Sequence, residues 1–369
     1  MGMAIRRLGL LIGLLIFLGM TYLTGCTSTS QTTSSSSSSS YLYYDTHSHL
    51  QPSESGGVLS FTGGADVAVA SMNAWGVKKI LVMPPPFSSS SEQTATRYEC
   101  TDMSAAVSKY SDRIALLCGG GSLNIMIQNA VSGQSINSAN FKTVARQLAD
   151  TTGFVGFGEL AAEHFCLGSG HIYMMAPPDH PLFYALVDVA SEKAVPIDLH
   201  MEAISSTMSF PTLTSGSCSY NPAVLTPNID KFKNLLTYAG AKSPKVKIVW
   251  VHAGWDNTSQ RSTTVCDELL GLYDNLYMNL KHSSADSVSA NQVLDSSGNI
   301  KSEWLSLFNK YPTRIMMGAD HFFAPAGTTP PGPGSFDSSW AIITKLATAS
   351  SNLAVKIGYE NAQTIYSLQ

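Results

Sequence analysis

The chain has 369 residues, of which 44% are hydrophobic and 13% charged, against a usual charged share of about 25%. Its 22 basic and 26 acidic residues leave a formal net charge of −4, with no basic excess to neutralise a phosphate backbone, so nucleic acid is excluded as an expected partner. The composition also excludes a fully disordered chain, a collagen and a multi-span membrane protein, and is ample for a large core.

The first residues read as a targeting segment. Arg6 and Arg7 precede an apolar run, Leu8 to Leu23, broken only by Gly and Thr. A spanning helix needs about 20 such residues, so the shorter run fits a signal peptide better than a membrane anchor, which remains the alternative. The run ends in Leu23-Thr24-Gly25-Cys26, which resembles the lipobox of bacterial lipoproteins. That resemblance implies cleavage before Cys26, lipidation of Cys26 and attachment to a membrane of the bacterial cell envelope. Thr27 in place of Asp favours the outer membrane by the same analogy. Residues 1–25 are then a signal peptide, and 26–40 a lipidated Cys with a Ser/Thr-rich tether too polar to build a core. A single folded domain is expected over 41–369.

Five cysteines remain beyond Cys26, at positions 100, 118, 166, 218 and 266. An exported chain allows disulfides, and Cys166 with Cys218 is the first candidate pair, with buried free thiols the alternative. There is no CxxC pair for a thiolate zinc site.

Eight short runs rich in β-formers follow in order: Leu42–His47, Lys78–Met83, Arg113–Cys118, Phe154–Leu160, Val195–Met201, Lys247–His252, Leu276–Leu280 and Arg314–Gly318. Helical patterns lie between and after them, at Ala65–Trp75, Phe141–Asp150, Pro181–Lys193, Asp230–Tyr238, Val265–Tyr273, Glu303–Lys310 and Ser339–Ala347, with Ala95–Tyr110 less distinct. Pro181 suits a helix start. Residues Ser122–Ser138 and Ala324–Ser335 read as loops on the rim. Alternating strands and helices predict an α/β fold, a (β/α)8 TIM barrel, with a doubly wound open sheet as runner-up. The glycine-rich phosphate loop expected of the runner-up is missing, and no G-x-S-x-G elbow supports a serine hydrolase.

In such a barrel the chemistry sits at the C-terminal strand ends. There the sequence offers His47 and His49 on strand one, Glu159 on strand four, His200 on strand five, His252 on strand six and Asp320 after strand eight. Residues two apart share a strand face, so His47 and His49 can grip one ion, with Asp45 below them as an acceptor that orients a histidine. Asp198, His200 and Glu202 share a face in the same way, which brings Glu202 to the rim. Each signal alone is weak. Together they describe a cluster of histidines and carboxylates whose burial without a cation would be costly.

The set Asp45-Thr46-His47-Ser48-His49, Glu159, His200, His252-Ala253-Gly254 and Gly318-Ala319-Asp320 resembles the amidohydrolase superfamily of TIM-barrel metal-dependent hydrolases. Gly358-Tyr359-Glu360-Asn361-Ala362 is similar to the closing helix of its amidohydrolase-related branch. The resemblance implies that His47 and His49 bind the more buried ion. It implies that His200 and His252 bind a second ion or orient the attacking water, and that Asp320 is a ligand and proton shuttle. The implied cofactor is a divalent metal, Zn²⁺ first, as one or two ions. Glu159 stands where many members carry a carboxylated Lys, a departure that looks like the TatD-type members and leaves the number of ions open.

The expected activity is hydrolysis of a C–O, C–N or P–O bond in a small molecule. A metal-dependent decarboxylase of an aromatic acid and a non-catalytic lipid-anchored binding protein are the alternatives. His164, Trp255 and Glu202 are the candidate substrate contacts, with Asp256 beside Trp255. His321 is expected to be structural, and His171, His180 and His282 carry no supporting pattern. Oligomeric state is open.

Overall fold

The computed structural model describes residues 43–88, 97–167, 172–213, 218–282, 291–328 and 335–369. The expected signal peptide, Cys26, the tether, His171 and residues 329–334 of the 324–335 loop lie outside the described residues.

The expected strands form one parallel sheet in sequence order: β1 (Tyr43–Leu50), β2 (Val77–Val82), β3 (Ile114–Gly119), β4 (Phe154–His164), β5 (Ile197–Met201), β6 (Ile248–Ala253), β7 (Leu276–Leu280) and β8 (Ile315–Met317). A ninth short strand, β9 (His321–Phe323), pairs in parallel with β1 and closes the ring. The eighth barrel strand is therefore broken. Its first piece bonds to β7 and its second to β1, with Gly318, Ala319 and Asp320 at the break. This is the (β/α)8 barrel that the alternation predicts.

Alternation along the strands sorts the core. On β2, Ile80 and Val82 face the outer helices while Leu81 and Met83 face the barrel interior. On β6, Ile248 and Trp250 face outward and Val249 and Val251 inward. The last helix, Asn361–Tyr366, sends Ala362, Ile365 and Tyr366 into the interior cluster and plugs the end of the barrel away from the strand C-termini. Asn361 fixes it there by donating to the carbonyls of Pro312 and Ile315 at 2.9 and 2.7 Å. Pro181 stands at the start of the helix Pro181–Lys193, where its missing N–H costs nothing.

Three expectations need correcting. Residues Ser122–Ser138 are not a loop: a helix occupies Leu123–Val131. Its inner face carries Leu123 and Ile127 but also the buried amides Asn124 and Gln128, which bond to the backbone of Phe87 and Ala161. Polar residues on a buried face erase the amphipathic signal. The helical segment before β3 is shorter than Ala95–Tyr110, comprising a 3-10 turn at Cys100–Met103 and a helix at Ser104–Lys109. Its start is set by Glu99 and Asp102, which cap each other's backbone, and by a disulfide from Cys100 to Cys118.

Asp45, the third, takes no hydrogen bond from a histidine among the described residues. Pairing of β1 with β2 slips between Asp45 and Ser48, so strict alternation fails there. The Asp45 carboxylate instead accepts from the Tyr43 hydroxyl at 2.8 Å, the Ser48 hydroxyl at 2.5 Å and the Ala319 N–H at 2.7 Å. It ties the first strand to the break in the eighth. Cys166 and Cys218 form a disulfide, as do Cys100 and Cys118, and Cys266 is buried and free.

Replacing Asp45 by Ala strands three buried donors at the barrel seam. At about 1 kcal/mol for each lost bond, the variant should be destabilised by about 3 kcal/mol in denaturant titration. A change below about 0.5 kcal/mol would remove Asp45 from its role as the seam's clamp.

Candidate metal centre

The six expected ligands converge at the C-terminal mouth of the barrel. Among the described residues they form three overlapping triads: His47, His49 and Glu159; Glu159, His200 and His252; and His47, His252 and Asp320. Within each triad the ligating atoms lie within 4.8 Å of one another. His47 and His49, two apart on β1, face the cluster together, with ring centroids 5.2 Å apart.

Glu159 is the hub. Its Oε2 lies 3.4 Å from His47 Nε2 and 3.7 Å from His49 Nε2. Its Oε1 lies 2.7 Å from His200 Nδ1 and 3.3 Å from His252 Nε2. Asp320 completes the ring, with Oδ1 3.1 Å from His49 Nε2 and 3.9 Å from His47 Nε2. The Nδ1 of His49 lies 2.9 Å from the Met83 carbonyl, an acceptor that fixes the proton on Nδ1 and leaves Nε2 as a lone pair toward the cluster.

The backbone serves this geometry. His252 and Asp320 adopt left-handed conformations, at φ 64° and 57°, which cost non-glycine residues on the order of 1 kcal/mol each. The His252 N–H donates to Asn279 Oδ1 at 2.8 Å, and the Asp320 N–H to the His47 carbonyl at 2.7 Å. Gly318 is required because a Cβ there would sit 2.6 Å from Asn279 Cγ. Gly120 is required for a similar reason: its Cβ would lie 2.5 Å from the Pro84 carbonyl oxygen, at the edge of the same mouth.

The electrostatics are those of a cation site. Burial pushes the Glu159 carboxyl up, but His47, His200 and His252 outweigh it and hold it well below its usual range. Burial likewise raises Asp320, and Lys281, His252 and His49 overcome this to keep it ionised. Burial disfavours a charged His47, yet Glu159, Asp320 and Asp198 push its pKa up to about 9. Burial holds His252 neutral. Both ring nitrogens of His47 and the Nδ1 of His252 are buried with no hydrogen-bond partner. Such orphaned ring nitrogens, set against two ionised carboxylates, fit a divalent ion that displaces the ring proton and is bound by imidazole and carboxylate donors.

Beside the cluster is a cavity of about 80 Å³ lined by His49, His164, His200, His252, Glu159 and Asp320, with walls of Pro85, Pro86, Leu167, Trp255, Lys281 and Phe322. His164 and Trp255 thus reach the cavity. Glu202 does not: it is buried, and its carboxylate accepts from the Asn257 side chain at 2.5 Å. Its Oε1 also lies 4.0 Å from His200 Nε2, so it stands beside the ligand cluster without lining the cavity. Asp256 is likewise turned inward, accepting from Thr258, Arg261 and Asn291. His321 packs on Phe336, with ring centroids 4.9 Å apart. Asp198 lies in the layer below His200, where burial raises its pKa to about 7 while Tyr366 donates to it at 2.6 Å.

Sequence reasoning missed Lys281. It directly follows the last residue of β7, and its ammonium contacts Asp320 Oδ2 at 2.7 Å. A search of strand ends for ligands passes over lysine, although the position was visible. Asn279, two residues earlier on β7, was missed for the same reason.

The comparisons show the fold. No family model matches the chain, and no curated protein matches it in sequence. Among solved structures, 2,6-dihydroxybenzoate decarboxylase complexed with 2,6-dihydroxybenzoate superposes with a TM-score of 0.51 at 14% identity, covering 89% of this chain and 99% of that one. Dihydroorotase from Campylobacter jejuni gives a TM-score of 0.46 at 13% identity, over 89% of this chain and 83% of its own. A dihydroxybenzoic acid decarboxylase from Polaromonas sp. JS666, with bound manganese and an inhibitor, gives 0.47 at 14%, over 88% and 97%.

In the metal-free protein the raised pKa of His47 contributes stability that is complete below about pH 6.5 and is lost as pH climbs through about 9. An entering cation must displace that proton, so its binding strengthens over the same window. The increase in melting temperature on adding Zn²⁺ should therefore grow from pH 6.5 to 9. A shift that shrinks with rising pH contradicts the assignment of His47 as a ligand.

Proposed function

We propose that this chain is a metal-dependent hydrolase of the amidohydrolase type, which uses water to cleave a C–O, C–N or P–O bond in a small molecule. The observation that carries this reading is Glu159, whose two oxygens face separate pairs of histidines. Under this reading His47, His49 and one Glu159 oxygen would hold the more buried ion. His200, His252 and the other oxygen would hold a second, and Asp320, within 3.9 Å of His47 and 3.1 Å of His49, would serve beside them. Imidazole and carboxylate donors suit Zn²⁺, with Mn²⁺, Fe²⁺ and Ni²⁺ also compatible.

A divalent ion there supplies Lewis acidity, drawing the pKa of water from about 15.7 toward about 7 and polarising the bond under attack. The side chains do the rest. Asp320, kept ionised by Lys281, accepts the proton of the attacking water and delivers it to the leaving group. Trp255, Phe322, Leu167, Pro85 and Pro86 exclude bulk water, which strengthens every charge interaction inside. His164 and Trp255 face the space a substrate would fill.

The deciding experiment combines elemental analysis of the purified folded domain with assays on lactones, amides, esters and phosphotriesters. Two ions per chain are expected, with hydrolysis abolished by chelator and restored by metal. Glu159→Gln keeps the volume and removes the charge; it should lower metal content by half or more and hydrolysis by about 100-fold or more. A protein without metal would be a binding scaffold, and CO₂ release from aromatic acids without hydrolysis would make it a decarboxylase.

We also propose that Cys26 carries the lipid that holds the domain at the cell envelope. Two disulfides support an oxidising compartment. Cys26→Ser should move the protein from the membrane pellet to the soluble fraction, and an unchanged distribution would refute the anchor.

A further inference from the structure

The two disulfides differ in what surrounds them. Cys100 and Cys118 are both fully buried, and Glu99 seals the pair by accepting from the N–H groups of Cys100 and Gly119 and from the Ser122 hydroxyl. Cys166 is buried too, but its partner Cys218 is partly exposed. Cys218 stands in the wall of a cavity of about 300 Å³, together with Phe210, Pro211, Leu213, Asn221 and Pro222. This cavity shares no residue with the metal centre and belongs to the excursion that follows β5.

The wall suits an uncharged ligand. No side chain of the lining is ionisable while Cys218 is paired, and residues 203–229 contain no Asp, Glu, Lys or Arg. The volume is that of a small-molecule site. The walls are also held without the disulfide. Met208–Ser209 pairs with Val224–Leu225 as a short antiparallel ladder, and the Phe210 N–H donates to the Ala223 carbonyl at 3.0 Å. The Asn221 side chain accepts from the Cys166 N–H and donates to the Cys166 carbonyl, both at 2.9 Å. A disulfide is exchanged only where a thiolate can reach one of its sulfurs, and here the residue within reach is Cys218.

We propose that Cys218 is a thiol-exchange site, at which a neutral dithiol enters the apolar cavity and opens the Cys166–Cys218 disulfide while Cys100–Cys118 stays closed. The attacking thiolate bonds to Cys218 Sγ, the S–S electron pair leaves on Cys166 Sγ, and that sulfur takes a proton from solvent. The second thiol of the reagent then loses its proton, attacks the mixed disulfide and releases Cys218, which is protonated in turn. The protein disulfide has gained two electrons, and the dithiol has become a cyclic disulfide. The ladder and Asn221 keep the excursion folded, so the bond can close again. What is lost is the covalent staple beside Leu167, which follows Cys166 and forms part of the wall of the metal cavity.

The test treats the folded protein with dithiothreitol in the absence of denaturant, quenches with acid, alkylates the free thiols and reads each cysteine by peptide mass spectrometry. Cys166–Cys218 should open at least about 10-fold faster than Cys100–Cys118. Equal rates, the reverse order, or no opening overturns the site. The neutral monothiol 2-mercaptoethanol cannot close a ring and should leave its mixed disulfide on Cys218; a mixed disulfide chiefly on Cys166 overturns the assignment of the attacked sulfur. Glutathione, which is charged, should react about 10-fold more slowly than 2-mercaptoethanol at equal thiolate concentration, and an equal or faster reaction overturns the preference for a neutral reagent. In folded Cys166→Ser, Cys218 should be alkylated at least about 10-fold faster than Cys166 in folded Cys218→Ser, and the reverse order again overturns the site. The wild-type rates decide the matter even where these variants fail to fold. Reduction should speed amide hydrogen exchange across residues 165–167 by about threefold or more and leave β6 unchanged; no change at 165–167 removes the link to the cavity wall. No turnover is read, so the exchange site stands or falls apart from the hydrolase reading.

Discussion

A carboxylate held at the centre of four imidazoles, all of them buried, is the constraint on which this molecule turns. Glu159 can remain ionised out of water because a charged His47 stands beside it and His200 and His252 lie within hydrogen-bonding reach of its other oxygen. Such an arrangement is expensive as a device for stability, since apolar residues of similar volume would fill the space at lower cost. It makes physical sense as a site waiting for cations, where the desolvation already spent becomes tight binding and strong polarisation.

The barrel is shaped to hold that cluster. Four strands and the break in a fifth each deliver one or two of the candidate ligands, and irregularities occur where these stand. Pairing slips on β1 beside His47, the backbone turns left-handed at His252 and Asp320, and the eighth strand divides before it can meet the first. Asp45 repairs the break by spanning from β1 to the Ala319 N–H, and the Asp320 N–H reaches the His47 carbonyl. The seam of the fold and the floor of the site are thus the same few residues. Loss of the seam would be felt first in the ligand geometry.

The opposite end of the barrel is closed by the C-terminal helix, whose Tyr366 reaches Asp198 directly beneath His200. Around the open end, the Cys100–Cys118 disulfide fixes the segment before β3, and Cys166–Cys218 fixes the excursion that follows β4. The mouth is therefore built on covalently tethered loops around the buried cluster.

Much of this was legible in the residue order. The eight apolar runs determined a barrel because alternation of strand and helix admits few other packings. The ligands could be named because a strand end in a barrel is a defined place, so local sequence carried spatial meaning. What the sequence hid were effects of contacts distant along the chain. The slip that separates Asp45 from His47 depends on pairing with β2. The engagement of Glu202 depends on Asn257, and the burial of Asn124 and Gln128 on backbone groups of other elements. Lys281 stood in view at a strand end, but its partnership with Asp320 and Trp255 exists only once strands six, seven and eight lie side by side. The amino-acid order alone determined the architecture and the donor set, because periodicity and strand ends are local properties. Tertiary structure alone decided which side chains share a cavity and which are turned away, because those choices are made by hydrogen bonds between residues far apart in the chain.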